Sequence, residues 1–105
     1  MAYTANKYGV SAGLMDEIIG CESQWNVSLQ SYAHYTAKNV PKGFKVGDRE
    51  QSWGLVQIHL PAHPNITKAQ ALNPVFAANF LAENIAAGNP EAWSCYSQNL
   101  IAMRQ

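Results

Sequence analysis

Ser11-Ala12-Gly13-Leu14-Met15-Asp16-Glu17-Ile18-Ile19-Gly20-Cys21-Glu22-Ser23-Gln24-Trp25 is the stretch from which the fold is read. At about 100° per residue, Leu14, Met15, Ile18, Ile19 and Trp25 fall on one apolar arc. The pattern predicts a helix over roughly residues 11–24 with Ser11 as its N-cap. Asp16, Glu17, Ser23 and Gln24 fall on the opposite side, as a solvated face should. Glu22 breaks the rule, because it lies near the middle of the apolar arc. A carboxylate facing a core resists ionisation, so its pKa is expected to rise and the group to hold a proton near neutral pH. That is the state a general acid needs. The competing reading is a buried glutamate satisfied by structural hydrogen bonds.

The rest of the composition bounds the answer. A chain of 105 residues makes one domain with one modest core. Hydrophobic residues at 48% and charged residues at 13% describe a globular protein. Net charge is zero and Lys and Arg form no run, which argues against nucleic acid as a partner. No apolar stretch approaches the roughly 18 residues that span a membrane, so no membrane insertion is expected. Residues 1–8 lack the hydrophobic centre of a secretion signal. Either a leader has been removed or the protein leaves its cell by another route such as lysis.

Beyond the first helix, Trp25 to Ser52 loses the pattern and carries Pro41, Gly43 and Gly47. A segment this long points to a binding loop or a small β lobe, with Thr36 and Val40 to Val46 as a candidate hairpin. Asn73-Pro74 reads as an N-cap and N1 proline, opening a helix through Ala87 that closes at Gly88. Asn89-Pro90 repeats the start signal for a last helix carrying Trp93, Cys95 and Tyr96.

Ile18-Ile19-Gly20-Cys21-Glu22-Ser23-Gln24-Trp25-Asn26 resembles the "ES.(F/W)(N/D)" segment around the catalytic glutamate of lytic transglycosylases and goose-type lysozymes. Ser52-Trp53-Gly54-Leu55-Val56-Gln57-Ile58 is similar to their "S.GLMQI" motif. Asn73-Pro74, the helix after it, and Trp93-Ser94-Cys95-Tyr96 resemble the helix and "A..YN" segment that close the same domain, although Ser97 stands where the family has Asn. The likeness runs from about residue 11 to 97. It implies a lysozyme-like α+β fold, mostly helical with a small loop or β lobe. Residues 1–10 are then an N-terminal extension, 11–98 a catalytic domain and 99–105 a tail.

The same resemblance implies cleavage of peptidoglycan between N-acetylmuramic acid and N-acetylglucosamine, at the cell envelope or outside the cell; a monomer is the default expectation, and nothing in the sequence indicates a cofactor. Glu22 would protonate the glycosidic oxygen, and the sugar would pass through an oxocarbenium-like state. In a transglycosylase the muramic 6-hydroxyl then closes a 1,6-anhydro ring. In a hydrolase water attacks, usually with help from a second carboxylate. Gly47-Asp48-Arg49 resembles the goose-type segment whose Asp positions that water, so Asp48 is an open candidate, whereas Glu50 reads more readily as a turn residue. The family likeness also implies site roles for Ser23, Ser52, Gly54, Gln57 and Tyr96. Gln57 offers an amide suited to an N-acetyl group, and Tyr96 a hydroxyl near the carboxylate. Gly54 equally fits a packing turn, and Tyr96 equally fits a core.

Cys21 and Cys95 lie in segments that should meet at the site, and a disulfide between them is favoured over two buried thiols. Tyr32, Tyr35, Phe44 and Trp53 suit a sugar groove or a small satellite core. His59 and His63 have a spacing that could chelate a metal on a helix, but Pro61 and Pro64 oppose one there, so no metal is expected. A non-catalytic glycan-binding module is the reading from a different class; it has no need of a buried acid.

Overall fold

The computed structural model describes residues 2–89 and 93–97. The first long helix begins where Ser11 accepts the Leu14 N–H at 3.1 Å. It runs Ala12–Ser23 (α2), after a short helix Ala2–Tyr8 (α1). It stops because Gln24 and Trp25 both turn left-handed, at φ 53° and 65°. Met15, Ile18 and Ile19 are fully buried, as the arc predicts. Two of its expectations are corrected. Ser23, assigned to the solvated face, is buried, since its hydroxyl donates to the Leu55 carbonyl at 2.6 Å. Trp25, assigned to the arc, is 49% exposed, because the helix ends before the periodicity reaches it.

The β structure lies elsewhere than expected. Strands Ser52–Trp53 (β1) and Ile58–His59 (β2) pair antiparallel, Ser52 opposite His59 and Trp53 opposite Ile58. Residues 30–35 run antiparallel along the other edge of β1 and the chain before it. Gln30 bridges Trp53 and His34 bridges Arg49. Backbone bonds from Ser31 N–H to Ser52 O and from Glu50 N–H to Ala33 O continue the pairing. The segment expected to form a hairpin at Thr36 and Val40 to Val46 holds turns instead. Asn39 Oδ1 accepts the Thr36 N–H at 2.7 Å, which closes the first of them.

A 3-10 turn Leu60–Ala62 and a one-turn helix Lys68–Ala71 (α3) lead to Pro74–Ala86 (α4). Asn73 caps α4 by accepting from Val75 N–H and Phe76 N–H. Its buried stripe is Ala77, Ala78, Leu81 and Ala82, small enough for close helix contact. The final helix, Ser94–Ser97 (α5), includes Cys95 and Tyr96, with Trp93 just before it. Pro90, part of its expected start signal, and the expected tail 99–105 lie outside the described residues.

Met15, Ile18 and Ile19 pack with Val56, Ile58, Leu81 and Trp93 in one core. Residues 2–8, expected as an extension, join it through buried Ala5, and the Tyr8 hydroxyl donates to Glu83 Oε1 at 2.9 Å. The domain is α+β and mostly helical.

Gly54, at φ +83°, lies closest of the glycines to a neighbouring backbone. A Cβ added there would lie 2.0 Å from the Ala71 carbonyl oxygen. Gly43 also has positive φ, +92°, with nothing within 4 Å. Gly54→Ala is therefore expected to lower unfolding free energy by about 2 kcal/mol or more, strain and overlap together, and Gly43→Ala by about 1 kcal/mol of strain alone. Urea unfolding of both variants checks the difference; equal losses would show that the Ala71 contact is not what excludes a side chain.

Candidate active site

Strand alternation builds the floor of a cleft. Ser31, Ala33 and Tyr35 on one segment, and Glu50 and Ser52 on its neighbour, are two residues apart and share one face. His59 joins them as the cross-strand partner of Ser52. The C-terminal turn of α2 sets Glu22 at one side, and Gln57 and Trp93 help enclose a hollow of about 470 Å³.

Glu22 is half-buried. The residue before it, Cys21, is bonded to Cys95 with Cα atoms 6.2 Å apart, so the expected disulfide is present. The Cys95 sulfur lies 3.5 Å from Glu22 Oε2. A disulfide sulfur has no proton to donate, so this is a packing contact against the carboxylate. Trp93, at the mouth of α5, is buried and donates from Nε1 to the Val56 carbonyl at 2.7 Å. The edge of one ring meets the face of the other where it packs on Phe80, at 6.0 Å.

Across the hollow, buried Tyr35 is a hydrogen-bond node. Its hydroxyl oxygen accepts the Gln51 N–H at 3.0 Å and lies 2.9 Å from His59 Nε2. The phenol donates to Nε2 in the neutral tautomer that carries its proton on Nδ1, and accepts from Nε2 in the other. Burial holds the His59 pKa below the ordinary histidine value; Glu50 opposes that shift and His63 adds to it. Glu50 Oε1 accepts the Ser52 hydroxyl at 2.8 Å. Gln57 gives both amide hydrogens to backbone, the Leu29 and Gly54 carbonyls, at 3.0 and 2.9 Å. Its carbonyl oxygen is thus left as the acceptor for a ligand.

Of the residues singled out from sequence, Glu22, Tyr35, Glu50, Ser52 and Gln57 meet in this cleft. The others are placed differently. Ser23 is sealed beneath it, tying α2 to Leu55. Gly54 is turned against Ala71. Asp48 is exposed, and its Oδ2 accepts the Lys45 N–H at 2.9 Å to close a turn, whereas Glu50 lines the hollow. Tyr96 is half-buried on α5 and does not line the cleft. Phe44 packs behind the cleft on the Tyr35 ring at 5.7 Å, and Trp53 carries the Lys68 ammonium 4.0 Å above its ring. His63 is used against Phe80, edge to face. Sequence reasoning missed His59 and Trp93 as cleft residues; alternation along 31–35 and 50–52 was the signal that could have exposed the floor.

A second hollow, about 400 Å³, also reaches Glu22 and includes Asn26, Leu29 and Tyr32. An apolar groove of about 520 Å³ beside α1 and α4 contains no carboxylate, imidazole or thiol. The chain matches no family model, no curated protein and no solved structure.

The lowered pKa of His59 has a stability consequence. The folded state takes up the imidazole proton less readily than the unfolded chain, so the contribution is complete above the ordinary value of 6.5 and is lost as pH falls through the lower folded value. Unfolding free energy measured by urea titration from about pH 7 to about pH 4.5 should fall less in His59→Gln than in the native chain. Parallel curves would show that His59 keeps an ordinary affinity for protons.

Proposed function

We propose that this chain cleaves the glycan strands of peptidoglycan, between N-acetylmuramic acid and N-acetylglucosamine, with Glu22 as the acid. One observation carries the reading. The three segments that resemble lytic transglycosylases and goose-type lysozymes, far apart in sequence, each contribute to one cleft: Glu22 from the first, Ser52 and Gln57 from the second, Trp93 from the third. A half-buried carboxylate at the junction of two hollows suits a cut in the middle of a bound strand. We read the helical body with its small β lobe as a lysozyme-like arrangement. The disulfide suits an oxidising site of action in the cell envelope or outside it.

In this mechanism Glu22 delivers its proton to the glycosidic oxygen as the C1–O bond breaks, leaving an oxocarbenium-like sugar. Glu22, now ionised, removes the proton of the muramic 6-hydroxyl, whose oxygen closes on C1 as a 1,6-anhydro ring. No second acid and no cofactor is required. The Cys95 sulfur packs against the carboxylate, and the Trp93 ring lines the same cleft.

A second reading is hydrolysis, favoured by the position of Glu50. Its carboxylate lines the same cleft, with one oxygen on the Ser52 hydroxyl and no cation paired to it among the described residues. There it can take a proton from water attacking C1. In this reading Glu50 replaces Asp48 as the second acid, since Asp48 is committed to its turn. A purely binding module is the weaker reading, because Glu22 and Gln57 converge on the same cleft.

Glu22→Gln is expected to lower solubilisation of purified cell walls by at least about a hundredfold, the usual scale of lost acid catalysis. Equal clearing by both chains would overturn the assignment. Mass spectrometry of the released fragments separates the two readings. Anhydro ends that survive Glu50→Gln mark the transglycosylase, and reducing ends that vanish with Glu50→Gln mark the hydrolase.

A further inference from the structure

A strand cut at Glu22 must be held on both sides of the carboxylate, and the second hollow shares Glu22 with the first but none of its other lining residues. Resting on the reading of Glu22 as the cleaving acid, we infer that this second hollow is a saccharide subsite in which Tyr32 is the stacking platform for an N-acetylhexosamine and Asn26 the donor to its acetamido carbonyl.

Tyr32 is 75% exposed, yet its ring is held. The Arg49 guanidinium carbon sits 5.0 Å from the ring centroid. Arg49 is itself fixed, donating from Nε to the Ser31 carbonyl at 2.7 Å and from Nη2 to the Gln30 carbonyl at 2.9 Å. A ring backed by an anchored cation loses little freedom on binding, so covering its open surface costs little in order. The C–H face of a pyranose is a fitting cover: flat, weakly apolar and matched in size to a phenol ring.

Asn26 supplies direction. Its Oδ1 accepts from both the N–H and the hydroxyl of Ser28, at 3.1 and 3.3 Å, which sets the amide orientation. Nδ2 keeps two donor hydrogens with no protein acceptor among the described residues. An acetamido carbonyl is an acceptor of the kind that site lacks, and a plain hexose has no such group. The chain reaches this position only through the two left-handed residues after α2, Gln24 and Trp25, and the Asn26 N–H bond to the Ser23 carbonyl at 3.0 Å.

The test is a binding titration that does not depend on turnover. Soluble N-acetylglucosamine oligomers are titrated into the full chain by calorimetry, with glucose oligomers of equal length as the comparison. Tyr32→Ala should weaken binding of the N-acetylglucosamine oligomers about tenfold, the scale of one lost aromatic stack, while Tyr32→Phe stays near native. Asn26→Asp keeps the acceptor for Ser28 but removes the donors, and should erase the preference over glucose oligomers. In cleavage assays Tyr32→Ala should raise KM and leave kcat near native. Native affinity in Tyr32→Ala, at unchanged far-ultraviolet circular dichroism, overturns the platform; an unchanged preference in Asn26→Asp overturns the donor. Clearing of walls by Glu22→Gln would instead overturn the acid assignment, and the titrations would still report on the subsite.

Discussion

The covalent tie between Cys21 and Cys95 sets the geometry on which the cleft depends. It joins positions 74 apart, and closing so long a loop in the unfolded chain is worth roughly 4 kcal/mol. For a small domain that is a large share of total stability. Helix α5 is only four residues long, too short to persist unaided. Its sulfur bond to α2 and the Trp93 anchor on Val56 hold it in place, and that placement is what puts a sulfur against Glu22 and an indole at the cleft wall.

The same turn of α2 is fixed from inside by Ser23, whose hydroxyl reaches the β1–β2 turn at Leu55. Helix, turn and α5 therefore meet around one carboxylate. Two left-handed residues follow at once, each costing about 1–3 kcal/mol, and such strain lasts only where neighbours over-determine the chain path. The Ser23 bond and the disulfide provide that determination. Gly54 does the equivalent at the far side: its turn packs on Ala71 so closely that the hairpin can sit over α2 and α4 together.

Local chemistry was legible in the sequence. Ser11, Asn73-Pro74 and Gly88 mark helix limits because capping involves only a few neighbouring atoms, and α2 and α4 begin where those residues say. Long-range contacts were not. Ser23 looked solvated because nothing nearby reveals that Leu55 will present its carbonyl, and Trp25 looked internal because angular patterns assume that the helix continues. Residues 30–35 hid their pairing because Tyr32 and His34, on the outward face, are no more polar than Ser31 and Tyr35, on the inward one. Asp48 and Glu50 share a rank by alternation; a turn captures the first and leaves the second in the cleft. Three motif residues, Glu22, Ser52 and Gln57, do converge on one hollow. Gly54 and Ser23 hold that hollow together from outside it.

Residues 36–39 and 42–49 are exposed throughout and lie between the two bonded cysteines. Such loop tips are preferred sites for proteases. A peptide bond broken there opens a ring without releasing a fragment, because the sulfur bond still joins the two pieces, and α2, β1 and α5 stay on one covalent body. The molecule can therefore survive a backbone scission at its most accessible point with the walls of the cleft still attached to each other.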